Sequence, residues 1–404
     1  MNMKKLVALL LALVMVFALC ACGGDKDNGG KDSAAYKVAM ITDYGDITDQ
    51  SFNQTTYEAC KAFAEDNSIE FSYFKPAGDN TADRVAMIEK AVDEGFNVIV
   101  MPGYAFGGAI VEAAPEFPDV KFIALDVAAG DLLETAVAKA GEAYDYTPEN
   151  WDLNKYVDMS NVYCAVYQEE LCGYMAGYAA VKLGYKNLGF LGGMSVPAVV
   201  RYGYGFVQGV DAAAADLGLT DVKLNYIYGG QFFGDADITA VMDTWYQGGT
   251  EVVFACGGGI YTSAVDAAKK VGAKVIGVDV DQAGVIANYA GVDGMTVTSA
   301  MKGLYPATYD TLTDVIVNGN WEKYVGKIET LGLVSGTDPE ANYVQIPMGD
   351  GTQWSDSFTQ DDYKAMVKDM FDGKITVSNN TSSDVSAADF ATVITVDDQG
   401  SIKG

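Results

Sequence analysis

The chain has 404 residues, with 55 Asp and Glu against 26 Lys and Arg, a formal net charge of −29 and no histidine. So acidic a surface favours solubility, repels nucleic acid and offers no broad basic patch for an anionic ligand. The lack of histidine excludes Ser-His-Asp and Cys-His catalysis and every histidine-ligated metal centre, and with no nucleophile–base pair and no metal-binding spacing among the clustered acids, no catalytic residue, no metal and no cofactor is expected.

Lys4 and Lys5 precede an almost unbroken apolar run over 6–19. That run is short for a membrane span and has the length of a signal-peptide core. It ends in Leu19, Cys20, Ala21 and Cys22, an order that resembles a bacterial lipobox. The resemblance implies a signal peptide over 1–21, cleavage after Ala21, lipidation of Cys22, and anchoring to the cell membrane outside the cytoplasm. A plain secretory signal with chance cysteines is the alternative. Residues 22–35 are mostly Gly, Asp, Lys, Asn and Ser, and read as a flexible tether. Cys60, Cys164, Cys172 and Cys256 sit in apolar patterns and form no C-x-x-C pair. Buried free thiols are expected there, with a Cys164–Cys172 disulfide as the alternative.

From residue 36 onward, short β-branched runs alternate with helical stretches. Strands are predicted over 37–42, 70–74, 97–101 and 120–124, with helices over 52–65, 81–93 and 108–114. The rhythm breaks at 128–158, which mixes acids, tyrosines, Trp151 and Pro148 and reads as an insertion or long loop. A strand over 161–166 restores it, followed by a helix over 168–183 rich in small residues, a composition suited to close packing. A second series follows, with strands over 187–191, 222–226, 251–255, 274–278 and 296–299. Its helices are expected over 197–216, 235–246, 261–270 and 306–317. This is the rhythm of parallel sheets with crossover helices, and it appears twice. The expected class is α/β, with two doubly wound lobes. The first lobe is placed over 36–165 and about 300–330, and the second over 185–295 and part of 331–404. Residues 166–184 form a helix between them.

In open α/β sheets, ligands bind beyond the carboxyl ends of the strands, and small-molecule sites favour domain boundaries. Past the first strand come Asp43, then Ser51, Phe52, Asn53 and Gln54. Ser51 and Gln54 have the spacing of a capping box, which puts Phe52 and Asn53 in the first helical turn. Phe52 there could stack on a flat ligand and Asp43 could accept hydrogen bonds from it. Equally, Phe52 could be core and the acids loop solvation. Asp126 follows the fourth strand as a ligand contact or a loop cap. Phe232 and Phe233 lie in a glycine-rich turn before Asp235, a candidate N-cap. Gly257, Gly258 and Gly259 allow close backbone approach, and no Lys-Ser or Lys-Thr follows to make a phosphate loop. Asp279 and Asp281 end another strand, and Lys302 another; an exposed surface position is the ordinary fate of such a lysine.

Four separated runs then resemble one family in the same order: ITDYGDITDQSFNQTTYEA at 41–59, EELCGYMAGYAAVKLGYKNLGFLGGMSVPAVVRYGYGFVQGV at 169–210, VIGVDVDQ at 275–282 and SAMK at 299–302. They are similar to the basic membrane protein family, the PnrA-like purine nucleoside lipoproteins of ABC transporters. The resemblance implies a type I periplasmic-binding-protein fold, with two lobes joined by crossing segments. It implies a monomer that captures a nucleoside and delivers it to a permease. A base held between two phenylalanines and a sugar bound by acids and a lysine would fall on Asp43, Phe52, Asn53, Asp126, Phe232 or Phe233, Gly258, Asp279 and Lys302. Asp281 is the alternative to Asp279. Tyr44 and the 128–158 stretch depart from the family pattern near the cleft. The rival readings are a receptor for a sugar or signalling molecule, a nucleoside-processing enzyme using Asp43, Asp46 and Asp49, and a purely adhesive surface protein.

Overall fold

The computed structural model describes residues 36–403. The expected signal, the tether and Cys22 lie outside the described residues. The first five strands are β1 Lys37–Ile41, β2 Glu70–Phe74, β3 Val98–Pro102, β4 Lys121–Leu125 and β5 Val162–Tyr167. They are linked by helices α1 Phe52–Asn67, α2 Thr81–Asp93, α3 Gly107–Ala113, α4 Ala129–Lys139 and the single turn α5 Leu153–Tyr156. Five more strands follow: β6 Asn187–Gly192, β7 Lys223–Tyr228, β8 Val252–Cys256, β9 Lys274–Asp279 and β10 Thr296–Lys302. Helices α6 Glu169–Lys182, α7 Pro197–Leu217, α8 Ala236–Gln247, α9 Tyr261–Val271, α10 Ala283–Ala290 and α11 Leu304–Leu312 run between and after them. The chain ends with β11 Lys327–Leu331, β12 Val344–Gln345, α12 Gln360–Phe371 and β13 Thr395–Ser401.

Two sheets result, ordered β11-β5-β4-β3-β1-β2 and β12-β10-β9-β8-β6-β7-β13. The pairings are parallel except between β10 and β12. The centre of each sheet repeats one pattern, since β7-β6-β8-β9-β10 matches β2-β1-β3-β4-β5 strand for strand. Helices cover both faces, so the central strands read as continuous apolar runs; Val38 to Ile41 and Val98 to Met101 are fully buried.

The chain passes from one sheet to the other after Tyr167, after Lys302 and after Leu331. The crossing segments are hydrogen-bonded to each other, through Gln168 N–H to the Leu331 carbonyl at 3.0 Å and Gly303 N–H to the Tyr343 carbonyl at 2.7 Å. Helix α11 lies on α1, where the Phe63 and Tyr309 rings meet edge to face at 5.9 Å.

Two elements differ from the expectation. Residues 129–139 form helix α4 rather than loop. Leu132, Leu133, Ala136 and Val137 make one buried face, and Asp131 accepts the Ala128 N–H at 2.7 Å. The surrounding acids and aromatics mask that short helical period. The helix expected between the lobes belongs with the second sheet: α6 runs along α7 and packs on β10 and β12. Glycines make that approach possible. A side chain at Gly173 would strike the Tyr202 carbonyl, and one at Gly209 the Tyr174 carbonyl.

Candidate ligand-binding site

A cavity of about 390 Å³ lies where the carboxyl ends of the two sheets face each other. Its walls include Asp43, Phe52, Asn53, Asp126, Phe232, Phe233, Gly258, Asp279 and Lys302, so the structure brings these sequence-derived candidates together. Asp281 is elsewhere. It is exposed and accepts the Ala283 N–H at 3.1 Å, at the start of α10.

The two lobes contribute matching positions. Asp126 follows β4 and Asp279 ends β9, and both take the left-handed backbone, with φ of 59° and 65°. For a residue other than glycine that conformation costs on the order of 1–3 kcal/mol, and it concentrates at functional sites. Gly103 after β3 and Gly257 after β8 have φ of 122° and 132°, values only glycine adopts freely. The bare Gly103 α-carbon lets the backbone lie against Asp43, whose Oδ2 a Cβ there would meet at 3.0 Å.

Asp126 and Asp279 converge on Lys302, at the end of β10. The ammonium lies 2.5 Å from Asp126 Oδ2, 3.6 Å from Glu169 Oε1 and 3.7 Å from Asp279 Oδ1. It also sits 4.7 Å from the Phe52 ring centroid, 5.4 Å from that of Tyr167 and 5.6 Å from that of Tyr202. Burial works against the charge of Lys302, but Asp126, Asp279 and Glu169 outweigh it and hold the lysine above its ordinary pKa. Burial pushes the Asp279 carboxyl up, against the attraction of Lys302 and a hydrogen bond from Ser51. The lysine is therefore buried rather than surface-exposed. One oxygen of Asp126, Oδ1, is buried and accepts no hydrogen bond.

The α1 end of the cavity is rich in acceptors. Asp43 Oδ1 accepts N–H groups of Tyr44 at 2.6 Å and Gly45 at 2.7 Å, and the Asn53 amide at 3.3 Å. Burial raises the Asp43 carboxyl despite these bonds. Asn53 Oδ1 is buried without a partner. The expected capping box does not form. Asp49 caps α1 instead, accepting the N–H groups of Ser51 and Asn53 at 2.9 Å and of Gln54 at 3.1 Å. A carboxylate makes stronger, charge-assisted bonds to these donors than a hydroxyl can. Ser51 is thus released to donate across the cleft to Asp279 Oδ2 at 2.5 Å.

The two candidate aromatics of the second lobe differ. The Phe232 ring is wedged against Gly193 and Gly257, where any Cβ would collide with it. Phe233 is 57% exposed and projects at the cleft. Asp235 caps α8 by accepting the Ile238 N–H at 3.0 Å. The hydroxyl of Tyr44, which departs from the family pattern, and that of Tyr104 both reach Met194 Sδ at 3.6 Å, one lobe to the other.

Sequence reasoning missed Tyr104, which lies just past β3 and would have followed from the same strand-end rule. It also missed Ser51 as a cross-cleft donor, and Glu169 with Arg201, whose ion pair at 2.7 Å lies under Lys302. The acids weighed for chemistry are committed to other partners: Asp46 to Lys75 at 2.9 Å, and Asp43 and Asp49 to backbone N–H groups. Among the described residues no group of His, Cys, Asp and Glu is arranged to hold a metal ion, and Cys60, Cys164, Cys172 and Cys256 are buried free thiols.

Comparison with known proteins agrees with this architecture. Among the solved structures that match are a solute-binding protein of an ABC transporter system from Aeropyrum pernix and one from Conexibacter woesei. Their TM-scores are 0.60 and 0.58, each at 20% identity, covering 86% and 85% of this chain and 88% and 99% of theirs. They establish the type I periplasmic-binding-protein fold. The ABC transporter nucleoside-binding protein BmpA of Lactococcus lactis is 26% identical over 93% of this chain and 99% of its own. Basic membrane protein B of Borreliella burgdorferi is 26% identical over 83% of this chain and 91% of its own. The family model for PnrA-like substrate-binding proteins of ABC transporters matches residues 36–337. The chain therefore belongs to the Bmp family of PnrA-like ABC transporter substrate-binding proteins.

Proposed function

We propose that the protein captures a nucleoside, with a purine base, in the cleft between its lobes and delivers it to the permease of an ABC importer. The observation that carries this reading is the buried cluster of Asp126, Asp279 and Lys302 beside the Phe52 ring. Acids and a lysine suit the hydroxyls of a sugar, and an adjoining ring suits a flat base. The base then lies between Phe52 and Phe233, because Phe233 is the exposed ring and Phe232 is held in the wall. At the α1 end, Asp43 and the unpartnered Asn53 Oδ1 favour a base edge that presents N–H donors. Asp126 Oδ1 awaits a hydroxyl donor. A lipid on Cys22 would hold the protein, as a monomer, at the outer side of the membrane beside its permease.

Binding without turnover is the inferred role. The family matched is one of substrate-binding proteins and the Lactococcus lactis relative is named as a nucleoside-binding protein, and a cleft that closes by direct contacts between lobes is suited to capture and release. Calorimetric titration of protein freed of endogenous ligand with a panel of nucleosides, free bases and sugars tests the reading. Binding of purine nucleosides in preference to bases or sugars alone is expected. Failure of every nucleoside to bind would refute it.

A further inference from the structure

Beneath Lys302 lies an ion pair whose two residues are absent from the cavity walls. Glu169, the first residue of α6, has a fully buried side chain, and Arg201, in the second turn of α7, is 14% exposed. Arg201 Nε meets Glu169 Oε2 at 2.7 Å. The other carboxylate oxygen, Oε1, points to Lys302 at 3.6 Å and accepts no hydrogen bond. Lys302 is thus offered three buried carboxylates, Asp126 and Asp279 from the cavity wall and Glu169 from outside it. Asp126 holds it at 2.5 Å with Asp279 at 3.7 Å, and Glu169 competes for it from 3.6 Å.

A buried carboxylate without a counter-ion is costly, and it draws on whatever cation is in reach. Here two cations can serve Glu169, namely Arg201 and Lys302. Arg201 takes the closer contact, through a planar guanidinium that keeps its charge when buried. That leaves Lys302 with Asp126 and Asp279.

We propose that Arg201 and Glu169 are positioning residues for the ligand lysine, with Arg201 satisfying Glu169 so that Lys302 stays on Asp126, facing the cleft. Without Arg201, the ammonium moves to Glu169, and the sugar subsite loses both its cation and the alignment of Asp126. The proposal rests on the reading that Lys302 and Asp126 meet the sugar of a nucleoside.

Charge rescue tests it. Inosine and its free base hypoxanthine are titrated into full-length wild type, R201M and the double variant E169Q/R201M. Loss of inosine affinity on the order of ten-fold is expected for R201M, with recovery towards wild type in the double variant. Binding of hypoxanthine should change in neither. A purely structural role for Arg201 would leave the double variant as weak as R201M, and that result would overturn the proposal, as would an R201M variant that binds inosine like wild type. If R201M does not fold, R201Q takes its place in both proteins. If wild type itself ignores inosine, the ligand reading fails, and a crystal structure of R201M decides the positioning claim alone. Lys302 Nζ moved onto Glu169 supports it, and Nζ still on Asp126 contradicts it.

Discussion

Ser51, at the start of the first lobe's α1, donates its hydroxyl to Asp279, at the end of the second lobe's β9, across 2.5 Å. The bond is buried and has a carboxylate acceptor, a class of hydrogen bond worth roughly 1.5–3 kcal/mol. Gln282 Nε2, donating to the Gln50 carbonyl at 3.2 Å, and Lys302 on Asp126 reinforce the same closure. Ser51→Ala leaves an Asp279 oxygen with one partner fewer. Ligand affinity should fall by roughly 10- to 100-fold, and ligand-free protein should be more open. Calorimetry and small-angle scattering measure the two effects, and unchanged values in both would show that the contact does not contribute to closure.

The neighbouring phenylalanines should separate cleanly. Base–aromatic stacking is worth about 1–3 kcal/mol by alanine substitution. Phe233→Ala should therefore weaken nucleoside binding by roughly 5- to 150-fold, with little change in melting temperature, because the ring is already 57% exposed. Phe232→Ala should lower the melting temperature first, because its ring fills the space between Gly193 and Gly257. Parallel titration and thermal melts of the two variants check this, and the reverse pattern would exchange their roles.

The α6–α7 contact should tolerate no added side chain. Overpacking costs typically about 1–3 kcal/mol, and more where backbone is struck. Gly209→Ala places a methyl on the Tyr174 carbonyl, so denaturant melts should show a loss of at least that order. Gly218→Ala also alters a glycine of this region, but one with open space around it and φ of 64°. Its smaller loss should reflect backbone strain alone.

Burial, and then the charge of Glu169, pushes the Glu170 carboxyl up to about 7 from its ordinary 4.5. The folded protein holds this proton more tightly than the unfolded chain does. The stabilisation is fully present below the unfolded value and is lost as the pH rises through about 7. Asp131, also raised by burial to about 7, acts in the same sense. Glu170→Gln removes one such group. The variant should match wild type near pH 4 and melt higher by on the order of a few degrees near pH 8. Calorimetric melts across that range check it, and a gap independent of pH would contradict it.

Much of this site could be read from strand ends. Asp43, Asp126, Gly258, Asp279 and Lys302 each lie at or just past an apolar strand, and parallel sheets place those ends on one side. What the sequence hid was partner choice. Ser51 and Gln54 have capping spacing, yet Asp49, two residues earlier, takes the same N–H groups with a stronger acceptor. Glu169 and Glu170 look like surface acids at a helix start, and only the fold sets Arg201 and Lys302 beside Glu169. Helix α4 was obscured because its buried face has just four residues among polar ones. Strand β13 carries the sequence TVDDQGS and is almost wholly exposed; it pairs with β7 through backbone bonds, without the alternation that marks a strand.

In the proposed complex the cleft holds a nucleoside between Phe52 and Phe233 with its sugar on Asp126, Asp279 and Lys302. A crystal structure grown with inosine measures this directly. The base is expected between the two rings, with its N–H edge towards Asp43 and Asn53 and a sugar hydroxyl on Asp126 Oδ1. An empty cleft at saturating inosine, or a ligand with its sugar turned away from Lys302, would contradict it.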